Sequence, residues 1–339
     1  MRRAFAILAV NALGVVLLLA ALEGVVRLAG DPAPAPLFDE PGRFLRDRDF
    51  LVPHPVRGFA LRPGFESGPY RINSQGLRGP ELPDPSEGAR LILAVGDSTT
   101  FGWGVDEAGT WPRQLEERLR GSDPALRVVN AGVPSYTSAQ TRLHLQELLP
   151  RLRPEWVLVS ALWNDVWYSA LDPWYPEALV QGRPSPWRRR LHEHSALFRW
   201  LAGAGRASDR TDAVNRPALV HYAENVERMA RAAAEHGAAV AFLMPPLDLG
   251  RVDDSAGPLV SPIGTGTFTK GFVRRIARLY AGVMTGAAAR QGARVIDHRL
   301  SILHPAKSRL FLDFIHPRPR GNRLIAEAVA GFLESERGS

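Results

Sequence analysis

Asp313–Phe314–Ile315–His316 places a carboxylate three residues before an imidazole, immediately ahead of Pro317. An imidazole takes a proton from a hydroxyl only when a neighbour fixes its tautomer and stabilises the imidazolium that forms. Asp313 is close enough in the chain to do this with little intervening structure. The hydroxyl such a dyad would serve is Ser98, far upstream at the end of Leu91–Ile–Leu–Ala–Val–Gly–Asp–Ser98. Serine, histidine and aspartate in that relation carry out nucleophilic acyl transfer.

Two further polar stretches follow short apolar runs: Asn130–Ala131–Gly132 and Leu162–Trp163–Asn164–Asp165. Gly132 lets the backbone approach a ligand closely. Asn164 offers a side-chain amide N–H, and a serine opening a helix turns its own backbone N–H outward. Donors of this kind form an oxyanion hole when they lie about 2.7–3.1 Å from the developing charge.

Other candidates carry less. His192 and His194 could ligate a metal, but only Glu193 accompanies them, so no metal site is expected. Asp253–Asp254 reads as solvated surface. Asp297 and His298 end a strand and form a rival dyad. Trp163, Trp167, Trp174 and Trp187 either stack on sugars or headgroups or simply pack. Arg188–Arg189–Arg190 is the one tight basic run, in a chain of net charge +7 whose lysines are Lys270 and Lys307 alone. Basic side chains scattered among acids read as a charged surface, and no nucleic-acid partner is expected. With no cysteine, thiol nucleophiles and disulfides are excluded.

Strands alternating with helices must position these residues. The expected strands are Leu91–Val95, Arg127–Asn130, Trp156–Ser160, Ala239–Leu243 and Arg294–Ile296. Helices are expected at Trp111–Arg120, Thr137–Leu149, Ala218–His236, Phe268–Ala289 and Gly321–Glu334. This pattern predicts an α/β fold with a parallel sheet of about five strands and helices on both faces. Ligands then gather at the carboxyl ends of the strands, where all three polar stretches fall. Residues 167–216, rich in aromatics and prolines and weak in periodicity, read as an insertion.

Ahead of this unit, Arg2 and Arg3 precede a nearly unbroken apolar run from Ala4 to Leu22, closed by Glu23 and Arg27. At ~1.5 Å per residue it nearly spans a bilayer's hydrocarbon core. Residues 1–30 therefore read as a signal anchor, single-pass in the cytoplasmic membrane, with the remainder extracytoplasmic. A cleaved signal peptide is the alternative. Residues 31–89 read as a Pro-rich spacer and a small β-rich appendage with a turn at Asn73–Ser–Gln–Gly76.

With Gly96–Asp97–Ser98, Gly132, Leu162–Trp163–Asn164–Asp165 and Asp313–Phe314–Ile315–His316 in this order, residues 90–339 resemble the SGNH, or GDSL-type, hydrolase family. Thr99 stands where the family often has leucine, and Leu162 replaces the third motif's glycine. The stretch Tyr70–Arg–Ile–Asn–Ser–Gln–Gly–Leu–Arg–Gly–Pro–Glu81 is similar to the segment ahead of the hydrolase domain in membrane-anchored bacterial members. The resemblance implies a flavodoxin-like three-layer fold, with Ser98 as nucleophile, His316 as general base and Asp313 orienting it. The N–H groups of Ser98 and Gly132, with Asn164, would form the oxyanion hole. It also implies metal-free and cofactor-free hydrolysis of esters or thioesters, many carried by acylated carbohydrates or lipids. An O-acyltransferase using the same triad on a surface polysaccharide, and a non-catalytic glycan- or lipid-binding domain, are the alternatives.

Overall fold

The computed structural model describes residues 2–29, 50–83, 88–168, 195–197, 214–248, 250, 259–260, 267–268, 270–304 and 308–337. Its framework grows from β5 (Arg90–Gly96), preceded in the chain by four short strands: β1 (Leu51–His54), β2 (Gly58–Leu61), β3 (Glu66–Ser67) and β4 (Tyr70–Arg71). A continuous apolar run has no solvent face, so β5 is stable only between neighbours. It pairs in parallel with β6 (Leu126–Gly132) on one side and β7 (Trp156–Ser160) on the other. Beyond β7 lie β8 (Ala239–Leu243) and then β11 (Arg294–Ile296), both parallel. The spatial order is therefore β6-β5-β7-β8-β11, the flavodoxin-like arrangement of a doubly wound sheet. All five expected strands are in it. The chain moves outward from β5 to β6, then crosses back to β7. The carboxyl ends of β5 and β7 thus open a crevice at the switch point.

Side chains alternate between the two faces, as a period of two requires. Leu93 and Val95 of β5 join one core layer, beneath α4 (Ser138–Leu152), α6 (Arg216–Glu235) and α7 (Lys270–Arg290). Ile92 and Ala94 join the other, beneath α3 (Trp111–Leu119) and α8 (Pro319–Arg337). The helix starts follow local chemistry. Thr137 caps α4, accepting from Gln140 N–H while the Gln140 side chain returns to the Thr137 backbone. Asn215 caps α6, and proline opens α8, where a missing N–H costs nothing. A two-residue antiparallel pair, β9 (Leu259–Val260) with β10 (Thr267–Phe268), precedes α7. Phe268, expected in that helix, lies in this pair instead.

Two one-turn helices complete the site: α2 (Ser98–Phe101) after β5 and α5 (Trp163–Tyr168) after β7. Gly132, at the end of β6, lies against α2. A Cβ there would stand 2.2 Å from Phe101 N. Gly132→Ala must therefore push α2 away or strain β6. We expect it to cost ~3 kcal/mol and to lower Tm by several degrees, measurable by thermal unfolding.

The N-terminal helix α1 runs Arg2–Leu28, and Val10–Leu28 is apolar enough, with mean hydropathy 1.8, to cross a membrane. Most of its apolar side chains there are exposed. The turn expected at Asn73–Gly76 is present, with Asn73 Oδ1 accepting from the N–H of Gln75 and Leu77. Phe50, Phe59, Tyr70 and Ile72 of the short-strand segment pack on Phe101, Trp103 and Tyr136. An antiparallel bridge from Arg78 to Asn130 joins this segment to the edge strand β6. Trp167, expected to open the insertion, is buried within α5. Apart from Ser195–Leu197, the segment from 169 to 213 lies outside the described residues, with Trp174, Trp187, Arg188–Arg190, His192 and His194. So do Asp253–Asp254 and the spacer at 31–36.

Candidate active site

Asp97 follows β5 and caps α2: its carboxylate accepts from the N–H and Oγ1–H of Thr99. Ser98 is thereby the first residue of the helix, where backbone N–H groups lack intrahelical acceptors. Its N–H has no acceptor among the described residues. Burial raises the pKa of Asp97, although the hydrogen bonds from Thr99 and Leu162 and the charge of His316 oppose it. Leu162, in the place of a motif glycine, is accommodated by turning its side chain into the core.

The dyad is a locally closed unit. Asp313 Oδ1 accepts from the N–H of Ile315 and of His316, both at 2.8 Å. Oδ2 lies 2.6 Å from His316 Nδ1. One oxygen fixes the turn and the other fixes the ring. Phe314, between them in sequence, packs edge-on against Trp163 and Trp167, which stack on each other with centroids 5.8 Å apart. Both indoles are buried, and Trp163 Nε1–H donates to Pro246 O, so these two pack the dyad loop onto α5 rather than meeting a ligand.

Across the crevice, His316 Nε2 lies 2.8 Å from Ser98 Oγ, joining residues 218 apart in sequence. With Nδ1–H given to Asp313, Nε2 is the acceptor and the serine hydroxyl the donor. Burial lowers the imidazole pKa, but the charge and hydrogen bond of Asp313, with Asp97 behind, outweigh it, and the net shift is upward. In Asp313 burial raises the pKa, yet His316 and the two N–H groups pull it below the ordinary value. Trp103, almost fully buried, packs on the imidazole with centroids 6.3 Å apart.

The oxyanion candidates differ in outcome. Asn164 is at the crevice on α5, and its Nδ2 donates to Tyr136 O at 2.9 Å, leaving the second amide hydrogen. Gly132 does not offer its N–H: that group donates to Asn130 Oδ1 at 3.1 Å. Glycine supplies room for α2 at this position, not a donor. The turn that follows does carry one. Tyr136 N–H donates to Val133 O, Pro134 precedes Ser135, and Ser135 has φ 70, the pattern of a type II turn. A left-handed serine is strained. Its N–H has no acceptor among the described residues. A proline followed by a small residue after a strand is a turn signal, and the sequence reading, which chose Gly132, passed over it.

Asp165 ties α5 to α4 by accepting from Ser138 N–H and Oγ–H. Burial, with the charge of Asp97, pushes its pKa up to about 7 despite those bonds. The rival dyad does not form. His298 Nε2 donates to Met244 O, while the Asp297 carboxylate accepts from Ser301 and pairs with His304. Burial lowers the His298 pKa to about 4, so the ring is neutral. Among the described residues no cluster of three or more histidines and carboxylates could hold a metal ion.

The chain is 34% identical over 77 residues to thioesterase 1/protease 1/lysophospholipase L1 of Escherichia coli (strain K12), covering 23% of this chain and 36% of that protein. It is 35% identical over 77 residues to esterase TesA of Pseudomonas aeruginosa, covering 23% and 38%. The match thus spans little more than a third of either relative. Among solved structures, that of TesA aligns with a TM-score of 0.46 at 20% identity over 73% of this chain and 99% of its own. The psychrotrophic esterase EstA of Pseudoalteromonas sp. aligns with a TM-score of 0.46 at 16% identity over 74% and 100%. The sequence profile of the GDSL-like lipase/acylhydrolase family matches residues 94–324, a span that includes Ser98, Asn164, Asp313 and His316. By that match, the chain belongs to the GDSL-like lipase/acylhydrolase family.

Proposed function

We propose that the protein is a membrane-tethered serine ester hydrolase acting through an acyl-enzyme on an acylated carbohydrate or lipid outside the cytoplasm. The observation that carries this reading is the unbroken relay from Ser98 Oγ through His316 to Asp313 Oδ2, at 2.8 and 2.6 Å. Ser98 Oγ attacks the ester carbonyl and its proton passes to His316 Nε2. The imidazolium, held by Asp313, returns that proton to the leaving alcohol. Water then gives a proton to His316 and attacks the acyl group, and Ser98 regains its proton as the acid departs. The oxyanion is received by Ser98 N–H and Asn164 Nδ2–H, with Ser135 N–H rather than Gly132 N–H as the further backbone donor.

The names of the curated relatives, thioesterase, lysophospholipase and esterase, all describe transfer of an acyl group to water, which supports the reaction class. The anchor is supported by α1 and its leading arginines. Glu23 adds a reason for the helix to remain. Its carboxylate accepts from Ser195 Oγ–H and from the N–H of Ala196 and Leu197 at 2.8–2.9 Å. Cleavage after this helix would remove that shared acceptor.

Fluorophosphonate labelling followed by mass spectrometry tests nucleophile and anchor together. One adduct on Ser98, in a chain retaining residues 2–28, is the expected result. An unlabelled Ser98 in folded protein overturns the mechanism, and a mature chain lacking α1 overturns the anchor. O-acetylated sugars and longer-chain esters assayed side by side then rank the substrates. Acylated glycan formed from an added acceptor would reassign the same site to O-acyl transfer.

A further inference from the structure

Arg78 belongs to the segment ahead of the sheet, yet its side chain ends behind the nucleophile. The residue is 4% exposed, and its guanidinium donates from Nη1 to Phe101 O and Gly102 O and from Nη2 to Val105 O and Pro69 O. Phe101 closes the one-turn helix that Ser98 opens, and Gly102 caps it with φ 84. So short a helix leaves its last carbonyls without intrahelical donors. Asn130 Nδ2 supplies one further bond to Phe101 O, at 3.3 Å. Val105 N–H donates to Gly102 O at 3.4 Å, and this arginine donates to both carbonyls.

The cation also lies against two rings that meet edge to face, its Cζ 4.6 Å from the centroid of Tyr70 and 4.4 Å from that of Phe101. Tyr70 in turn accepts from Gly104 N–H in the same loop. Arg78 N–H donates to Asn130 O on the edge strand, so the side chain reaches inward from a backbone pinned to the sheet. Burial lowers its pKa to about 10, which leaves it charged at neutral pH. A planar group that donates to four carbonyls and lies against two rings is not replaced by a point charge.

We propose that Arg78 is a positioning residue for the nucleophile: by clamping the carbonyl end of the Ser98 helix it holds the Ser98 hydroxyl and N–H in register with His316. The inference rests on the acyl-enzyme reading. It gives the segment ahead of the sheet a part in the reaction, since the clamp is Arg78 with Tyr70. A nucleophile displaced by about 1 Å loses on the order of 10²-fold in rate.

The test compares Arg78→Lys, Arg78→Met and Tyr70→Leu with Leu333→Ala, a cavity variant under α8 in the opposite core layer. Each full-length variant is assayed on a small chromogenic ester well below its Tm, and labelled in parallel with a fluorophosphonate. The expected result for both Arg78 variants is kcat and labelling rate down roughly 10²-fold, with KM within about threefold and the acid limb of the pH profile unmoved. Tyr70→Leu, which keeps all the donors, falls about tenfold and serves if the Arg78 variants do not fold. Leu333→Ala loses Tm but keeps kcat within about twofold. Arg78 or Tyr70 variants that lose Tm as Leu333→Ala does, yet keep kcat and labelling rate, overturn the inference alone. A wild-type chain that never labels at Ser98 removes the underlying reading, and the inference with it.

Discussion

Ser98→Ala is expected to lower kcat on a small ester by on the order of 10⁶-fold and to leave the fold intact, because acyl-enzyme formation has no other nucleophile. The hydroxyl has one described partner, His316 Nε2, so its loss strands no other buried group. His316→Ala should cost about as much, and the double variant little more than either, since the two act in a single step and their effects do not add. About 10³–10⁴-fold acceleration over water remains from the oxyanion donors and binding alone. Steady-state kinetics normalised to the concentration of folded protein reads all three variants. Ser98→Ala within a hundredfold of wild type would falsify the nucleophile assignment.

Asp313→Asn carries the second largest effect, with a signature in pH as well as rate. The asparagine amide can donate to His316 Nδ1, which favours the tautomer with hydrogen on Nε2, and that nitrogen then cannot accept from Ser98. A fall of about 10⁴-fold in kcat follows. In the wild type the His316 pKa lies above the ordinary 6.5, so kcat/KM should rise through that higher value and then level off, because only neutral imidazole acts as base. Without Asp313, burial is opposed only by the more distant Asp97, so the limb should move to lower pH. The same pair adds stability in a defined window. The histidine contribution is complete below pH 6.5 and fades as pH rises through its raised pKa. The aspartate contribution is present above pH 3.8 and fades as pH falls through its lowered one. Between those values both are present. A pH–rate limb that stays in place in Asp313→Asn would remove Asp313 from the base's environment.

What the sequence made legible follows from how locally each feature is encoded. β5 was readable because five consecutive apolar residues ending at a glycine admit few other structures. The dyad was readable because Asp313 and His316 meet across one turn. Gly132 was readable as a close approach, but not by what: the neighbour is the α2 backbone, brought by the β5–β6 pairing. Arg78 had no local signal for this role, since three of its four acceptors lie 23 to 27 residues downstream and become neighbours only once α2 exists. Phe314 carries no local signal either, and its contact with Trp163 and Trp167 depends on α5 arriving from β7. Residues whose partners come from other strands are the ones a linear reading loses.

The closed turn at Asp313–His316 also has a consequence in time. The carboxylate, its two backbone N–H donors and the imidazole lie within four residues, so base and orienter can assemble as soon as that loop forms. The nucleophile waits 218 residues upstream and meets them through one contact. No chain that stops short of residue 316 holds a working site, however well its earlier strands have folded. On the proposed mechanism the site is therefore completed in one late event, when the segment carrying the dyad docks beside β5.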